Sequence, residues 1–272
     1  MIPFTKAHAC GNDFLIVSED DVRGQDLAAL AQRLCSRNTG VGADGVEFFR
    51  WTGICAGHIT LYNADGSHAE ISGNGTRCVA AWMALKMDSR AGNTMRIETD
   101  AGERVCRIDA VGARGINTID ITQGMGVPLF ARRTVRLGDG TEIAGVEVSV
   151  GNPHFVIVTA DAEFAVAGRA WQAIGAEICV HADFPQQTNV EFVRIASEHE
   201  IELRIFERGV GPTASSGTGT CAAATAAIAL YDCRSPLTMV APGGAQSVAW
   251  RGAGAELMLT GPAAMIAWGE AW

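Results

Sequence analysis

Residues 57–62 and 201–206 alternate apolar and polar side chains, and each stretch runs on through a Gly-rich turn into an Ala-rich segment with few charges. Period-two alternation predicts strands. The Ala-rich segments, roughly 75–87 and 219–231, are apolar on every face, which predicts helices buried inside their domains and not amphipathic helices on a surface. A further pair of apolar strands starts at Gly-Asn turns, Gly11-Asn12-Asp13-Phe14-Leu15-Ile16-Val17 and Gly151-Asn152-Pro153-His154-Phe155-Val156-Ile157-Val158. Residues 93–109 and 115–123 read as strand pairs joined by Gly turns.

These landmarks recur in the same order at an offset of about 140 residues, which points to duplication of one α/β unit. Both halves reach a Ser-Gly-x-Gly-Thr turn at the same distance past an aromatic, Tyr62 in one and Phe206 in the other. The expected fold class is α/β (α+β) with two pseudo-symmetric domains, 1–117 and 118–272. The C-terminal segment has a strand pattern around Leu257-Met258-Leu259-Thr260-Gly261-Pro262-Ala263, and its last strand, about 262–272, is a candidate to return to the first domain.

With 272 residues, 48% of them hydrophobic, the chain can bury the core that two such domains need. A formal net charge of -9 argues against nucleic acid or an anionic membrane as the main partner, because both demand a basic surface. The longest weakly polar run, 221–230, is shorter than the roughly 20 residues that cross a bilayer. Eight cysteines without a C-x-x-C pair, and an N-terminus without the features of an export signal, read as reduced thiols in a cytoplasmic protein. A small-molecule ligand fits best.

Candidate chemistry lies at the two Gly-rich turns, Ser72-Gly73-Asn74-Gly75-Thr76 and Ser216-Gly217-Thr218-Gly219-Thr220. A turn feeding a helix presents free N–H groups at the positive end of a dipole, a ready carboxylate or phosphate site. Either turn alone is ordinary, and Ser is a favoured N-cap in its own right. Two in equivalent places of similar halves would converge across a domain cleft, where ligand pockets usually form. Asn63-Ala64-Asp65-Gly66-Ser67 reads alone as an Asx turn before a helix. Glu207-Arg208-Gly209-Val210-Gly211 occupies the equivalent place, and Arg208 is suited to grip a carboxylate bidentately. Asn12, Asn152 and Asn189 each stand beside a strand. With Asn63, Glu207 and Arg208 they form a polar set matched to an amino acid carrying both charges.

The six histidines lack zinc-site spacing, so no metal is expected. Neither Lys6 nor Lys86 has the flanking residues of a pyridoxal Schiff base, and phosphate-loop and dinucleotide fingerprints are missing, so no cofactor is expected.

Taken together, the motifs resemble the diaminopimelate epimerase family nearly end to end. Besides those already quoted, the resemblance rests on Gly40-Val41-Gly42-Ala43-Asp44-Gly45, Gly73-Asn74-Gly75-Thr76-Arg77-Cys78, Asn189-Val190-Glu191-Phe192 and Leu259-Thr260-Gly261-Pro262-Ala263. It implies two domains, each a β-barrel-like sheet around a central helix, with substrate in the cleft between them, no pyridoxal phosphate or metal, and a homodimer. It also implies epimerisation of L,L- to meso-diaminopimelate by two cysteines that remove and return the α-proton from opposite faces. Those cysteines map onto Ser72 and Ser216, and Pro212 stands where the family commonly has Glu. By the same mapping Asn12, Asn63, Asn152, Asn189, Glu207 and Arg208 hold the distal amino and carboxylate groups, and the N–H groups of Gly73, Asn74, Gly217 and Thr218 hold the α-carboxylate.

Serine changes the expected chemistry. A cysteine thiol ionises near neutral pH, whereas a Ser hydroxyl requires a neighbouring base. His154 and Glu207 are the candidates to polarise the serines. Three readings remain open: an amino-acid epimerase or racemase using Ser72 and Ser216; an isomerase or dehydratase acting on another amino acid; and a binder without turnover, as a natural pseudoenzyme or an engineered double Cys→Ser form.

Overall fold

The computed structural model describes residues 1–115 and 117–272, which fall into two units, 1–123 with 260–272, and 124–259. In the first unit β1 (Ile2–Ala9), β2 (Asn12–Ser18), α1 (Leu27–Cys35), β3 (Gly45–Gly53), β4 (Ala56–Asn63), the short β5 (His68–Ala69), α2 (Gly73–Lys86), β6 (Thr94–Thr99), β7 (Gly102–Val111) and β8 (Thr118–Gly124) follow in order. Pairing runs β1, β2, β3, β4, β6, β7, β8, with parallel steps at β2–β3 and β4–β6. The final strand of the chain, Met258–Ala271, pairs with β1 and with β8 and so closes an eight-stranded barrel.

Inside that barrel lies α2. Cys78, Val79, Ala80, Ala81, Met83 and Ala84 are buried all round the helix, and one cluster joins them to inward residues such as Phe14, Ile16, Phe49, Leu61, Ile97 and Ile108. Only small side chains leave room for a helix there, which is what the Ala-rich segment supplies. The next residues along β2 and β3 point the other way: Leu15, Val17, Val46 and Phe48 pack under Leu30 and Leu34 of α1, whose N-terminus Asp26 caps. Both strands are therefore buried on two faces. That parity aims Gly45, Glu47 and Phe49 at α2.

The second unit repeats the plan with β9 (Leu129–Arg136), β10 (Glu142–Ser149), β11 (Pro153–Val158), α3 (Trp171–Cys179), β12 (Asn189–Ser197), β13 (Glu200–Glu207), β14 (Gly211–Thr213), α4 (Gly217–Leu230), β15 (Leu237–Ala241) and β16 (Gly244–Ala249); β17 is the closing strand of the first unit. Pairing runs β9, β10, β11, β12, β13, β15, β16, with parallel steps at β11–β12 and β13–β15, and β14 adds to β13. Cys221 to Ala224, Ala226 and Ala227 of α4 are buried against Val148, Val156, Val193, Leu203 and Ile205. Phe155, Ile157, Val190 and Phe192 turn outward to Ile174 and Ile178 of α3. By the same alternation His154 and Glu191 face α4.

Two local features depart from the sequence reading. Each central helix begins two residues earlier than expected, at Gly73 and Gly217, so the Gly-rich segment is the first helical turn itself. The Asn63–Ser67 turn is an Asx turn, with Asp65 Oδ1 accepting from Ser67 N at 2.8 Å, but it leads into β5 and not into a helix. Gly66 makes that turn at φ +82°, where a Cβ would also meet Gln32.

Candidate functional site

In the first unit Ser72 is the N-cap of α2. Its Oγ accepts from Gly75 N at 3.1 Å, and its carbonyl accepts from Thr76 N and Thr76 Oγ1, both at 2.8 Å. Helical geometry gives the N–H groups of Gly73 and Asn74 no intrahelical acceptor, so they stand at the positive end of α2 as anion donors. The helix start is tied to the strands through amides: Asn74 Nδ2 donates to Asn12 Oδ1 at 3.1 Å, and Asn12 Nδ2 donates to Asp44 Oδ2 at 2.7 Å. Asp44 also accepts from Asp13 N and from Arg37, and its carbonyl accepts from Ala64 N, next to Asn63. Thus Asn12, Ser72, Gly73 and Asn74 form one connected group. Asn63 is tied to it by the bond of its neighbour Ala64 to Asp44, its own side chain donating to Ser67 Oγ.

The second unit builds the same device on α4. Ser216 caps the helix, its Oγ accepting from Gly219 N at 3.3 Å and lying 3.5 Å from Thr218 Oγ1. Asn152 Nδ2 donates to Thr218 Oγ1 at 3.4 Å, while Asn152 Oδ1 lies 2.9 Å from His154 Nε2. Asn189 Nδ2 donates to Pro153 O, and Asn189 Oδ1 accepts from Arg208 N at 2.9 Å. Arg208 is exposed, with its Nη1 donating to Gln186 O at 2.8 Å, and Glu207 beside it is half-buried. Contacts therefore link Arg208 to Asn189, Asn189 to the backbone of Pro153 next to Asn152, and Asn152 through Thr218 to Ser216.

The charges around each helix start differ. Burial raises Asp13, but hydrogen bonds and charge from Arg37 and Lys6 outweigh it and hold the carboxyl below its ordinary value. Lys6 is 3.0 Å from Asp13 and donates to Gly42 O, so its ammonium serves the fold here. Glu47 is fully buried, and burial alone pushes it up to about 8. Glu191 is equally buried and also raised by desolvation, with His154 Nδ1 at 2.8 Å opposing the shift. Three of the cysteines are no substitute base. Burial drives Cys35 and Cys106 up to about 12 and raises Cys78 as well, so none is a thiolate at neutral pH.

Glu47 and Glu191 were missed as functional candidates in the sequence. The available signal is a lone carboxyl within an apolar strand, Val46-Glu47-Phe48-Phe49 and Val190-Glu191-Phe192-Val193, at the same place in both repeats. Asp44 and Arg37 were likewise unassigned, although Asp44 fixes the amide of Asn12.

Solved structures share this architecture. A phenazine biosynthesis protein of the PhzF family from Bacillus anthracis superposes with a TM-score of 0.74 at 14% identity, over 98% of both chains. A hydroxyproline epimerase from Agrobacterium vitis gives 0.67 at 15% identity, over 99% of this chain and 91% of that one. At these identities the likeness defines the fold class, one that includes epimerases. The family model for diaminopimelate epimerase matches residues 4–128 and 146–266. Diaminopimelate epimerases from Desulforudis audaxviator and Microcystis aeruginosa are 35% and 34% identical to the chain, covering 96% and 97% of it and 95% and 97% of their own lengths. The chain belongs to the diaminopimelate epimerase family, whose members are PLP-independent isomerases.

Proposed function

We propose that the chain interconverts L,L- and meso-diaminopimelate by proton transfer at one α-carbon, with Ser72 and Ser216 as the acid/base groups on its two faces. The observation that carries this reading is the repeat: each serine caps the helix at the centre of its own unit. The N–H groups of Gly73, Asn74, Gly217 and Thr218 receive the α-carboxylate, and their fixed dipoles favour the charge that develops there as the α-proton leaves. Asn12, Asn63, Asn152, Asn189, Glu207 and Arg208 hold the distal amino and carboxylate groups, and His154 orients Asn152. The halves 1–117 and 118–272 supply one serine each.

The working form is a cytoplasmic homodimer. Ile266 and Trp268 of β17, 51% and 80% exposed, offer apolar surface for a second copy, and sedimentation at assay concentration tests for twice the chain mass. The reaction is tested by incubating L,L-diaminopimelate with the protein in D2O. Incorporation of deuterium at the α-carbon above a protein-free control, with meso product formed, is the expected result. Tight calorimetric binding without exchange would assign the chain as a binder, and exchange confined to another amino acid would move the substrate.

A further inference from the structure

Each serine shares its helix turn with a buried carboxyl for which folding alone gives no reason. Neither oxygen of Glu47 has a hydrogen-bond partner among the described residues, and Glu191 Oε2 has none either. Such groups are costly to bury, whereas an apolar side chain of similar size would fill either space without that cost. Both carboxyls are accommodated by a glycine. A Cβ on Gly75 would overlap Glu47 Oε1 and stand 3.2 Å from Ser72 Cβ; a Cβ on Gly219 would stand 2.7 Å from Glu191 Oε1 and 3.3 Å from Ser216 Cβ. Those glycines also donate the N–H bonds that the two serine hydroxyls accept. Carboxyl, glycine and serine are thus packed together twice, by the same parity of β3 and β12.

We propose that Glu47 and Glu191 are the proton partners of Ser72 and Ser216, acting on substrate only through the serine hydroxyls. This rests on the proton-transfer reading above. In the accepting direction the substrate Cα–H bond breaks, its electron pair stays on carbon, the proton passes to Ser Oγ, and the Oγ–H proton passes to the carboxylate. In the donating direction the carboxyl returns a proton to Oγ as the hydroxyl proton goes to carbon. One turnover leaves one carboxyl protonated and the other ionised, and exchange with water resets them. No oxidant or further reactant is required.

The two partners are not equivalent. Glu191 is paired with His154, whereas the matching position of the first unit, in Gly11-Asn12-Asp13-Phe14, is Phe14. Opposite Glu47 on the neighbouring strands stand Ile16 and Leu61, and Cys78 of α2 is an ionisable neighbour. Opposite Glu191 stand Val156 and Ile205, with His154 the ionisable neighbour. Burial holds the proton on Glu47 up to about 8, whereas the His154 contact favours the ionised form of Glu191. With His154 against its carboxyl, Glu191 takes the accepting role behind Ser216, and Glu47, without such a histidine, the donating role behind Ser72.

The test compares serine and cysteine backgrounds. Glu47→Gln and Glu191→Gln are each expected to slow α-proton exchange about 100-fold. In the Ser72→Cys/Ser216→Cys protein, whose thiols ionise unaided, the same changes should cost less than about 5-fold. Glu47→Gln should also delete the limb of the rate–pH profile near 8. Equal losses in both backgrounds would make the carboxyls structural and overturn the proposal. If neither background exchanges, the epimerase reading fails separately, and alkylation at position 216, followed by peptide mass spectrometry, decides the pairing. Adding Glu191→Gln to Ser216→Cys should lower the midpoint pH of alkylation; an unmoved midpoint overturns the proposal.

Discussion

Replacing Ser72 and Ser216 together by cysteine is expected to raise α-proton exchange into diaminopimelate about 1,000-fold, the span that a well-matched acid/base pair contributes. A thiol of ordinary pKa near 8.5 is lowered at a helix N-terminus, and both positions are N-caps with extended backbone, φ -123° and -143°, that accepts any side chain at Cβ. A serine in the same place requires a second group to take its proton at the moment of transfer. Restoring one position alone should recover only part of the gain, because the remaining serine then limits the step on its own face. The substitution has a structural cost. Sulfur is a poorer acceptor for the N–H groups of Gly75 and Gly219, and losing each cap bond should lower stability by about 1 kcal/mol, read as a drop in Tm. An unchanged exchange rate in a folded double variant would show that this scaffold does not position diaminopimelate for proton transfer.

Much of this molecule is written locally, and the parts that are not share a cause. The central helices were legible because an apolar run without a polar face has nowhere to go but inside, and the two Ser-Gly-x-Gly-Thr turns were legible because they repeat. Closure of the first barrel was legible only as a candidate return of the last strand and not as a register, since it depends on Ala264 and Met265 meeting His8 and Ala7, a pairing across almost the whole chain. Glu47 and Glu191 escaped for a different reason. A charged residue between apolar neighbours reads as the solvent side of a half-buried strand. Here α1 and α3 cover the outward faces of β3 and β12, and the apparent solvent side is the side that meets α2 or α4. The polar set was legible as a list of residues but not as a network. Asp44, quoted only as part of a Gly-rich motif, is what connects the Asn63 turn to Asn12.

Burial of Glu47 makes a second large effect calculable. Its folded pKa of about 8 lies above the ordinary carboxyl value of 4.5, so between those values the folded state binds more protons than the unfolded state. Stability must then fall as pH rises through that window and level off above it. The full window is worth up to about 5 kcal/mol, a large share of a typical domain's stability. Glu47→Gln removes the titration, so the variant should match the parent near pH 4.5 and exceed it increasingly toward pH 8 in urea midpoints. Asp13 acts in the opposite sense outside this window. Arg37 and Lys6 outweigh its burial and depress its pKa, so its contribution is present above 3.8 and is lost as pH falls further. Parallel stability curves for parent and Glu47→Gln across the window would mean that Glu47 ionises in the folded protein as readily as in the unfolded one. If instead the curves diverge, the alkaline conditions that free Glu47 to exchange its proton are those in which its unit is least stable. A proton partner for Ser72 and a maximally stable barrel are then competing demands on one side chain.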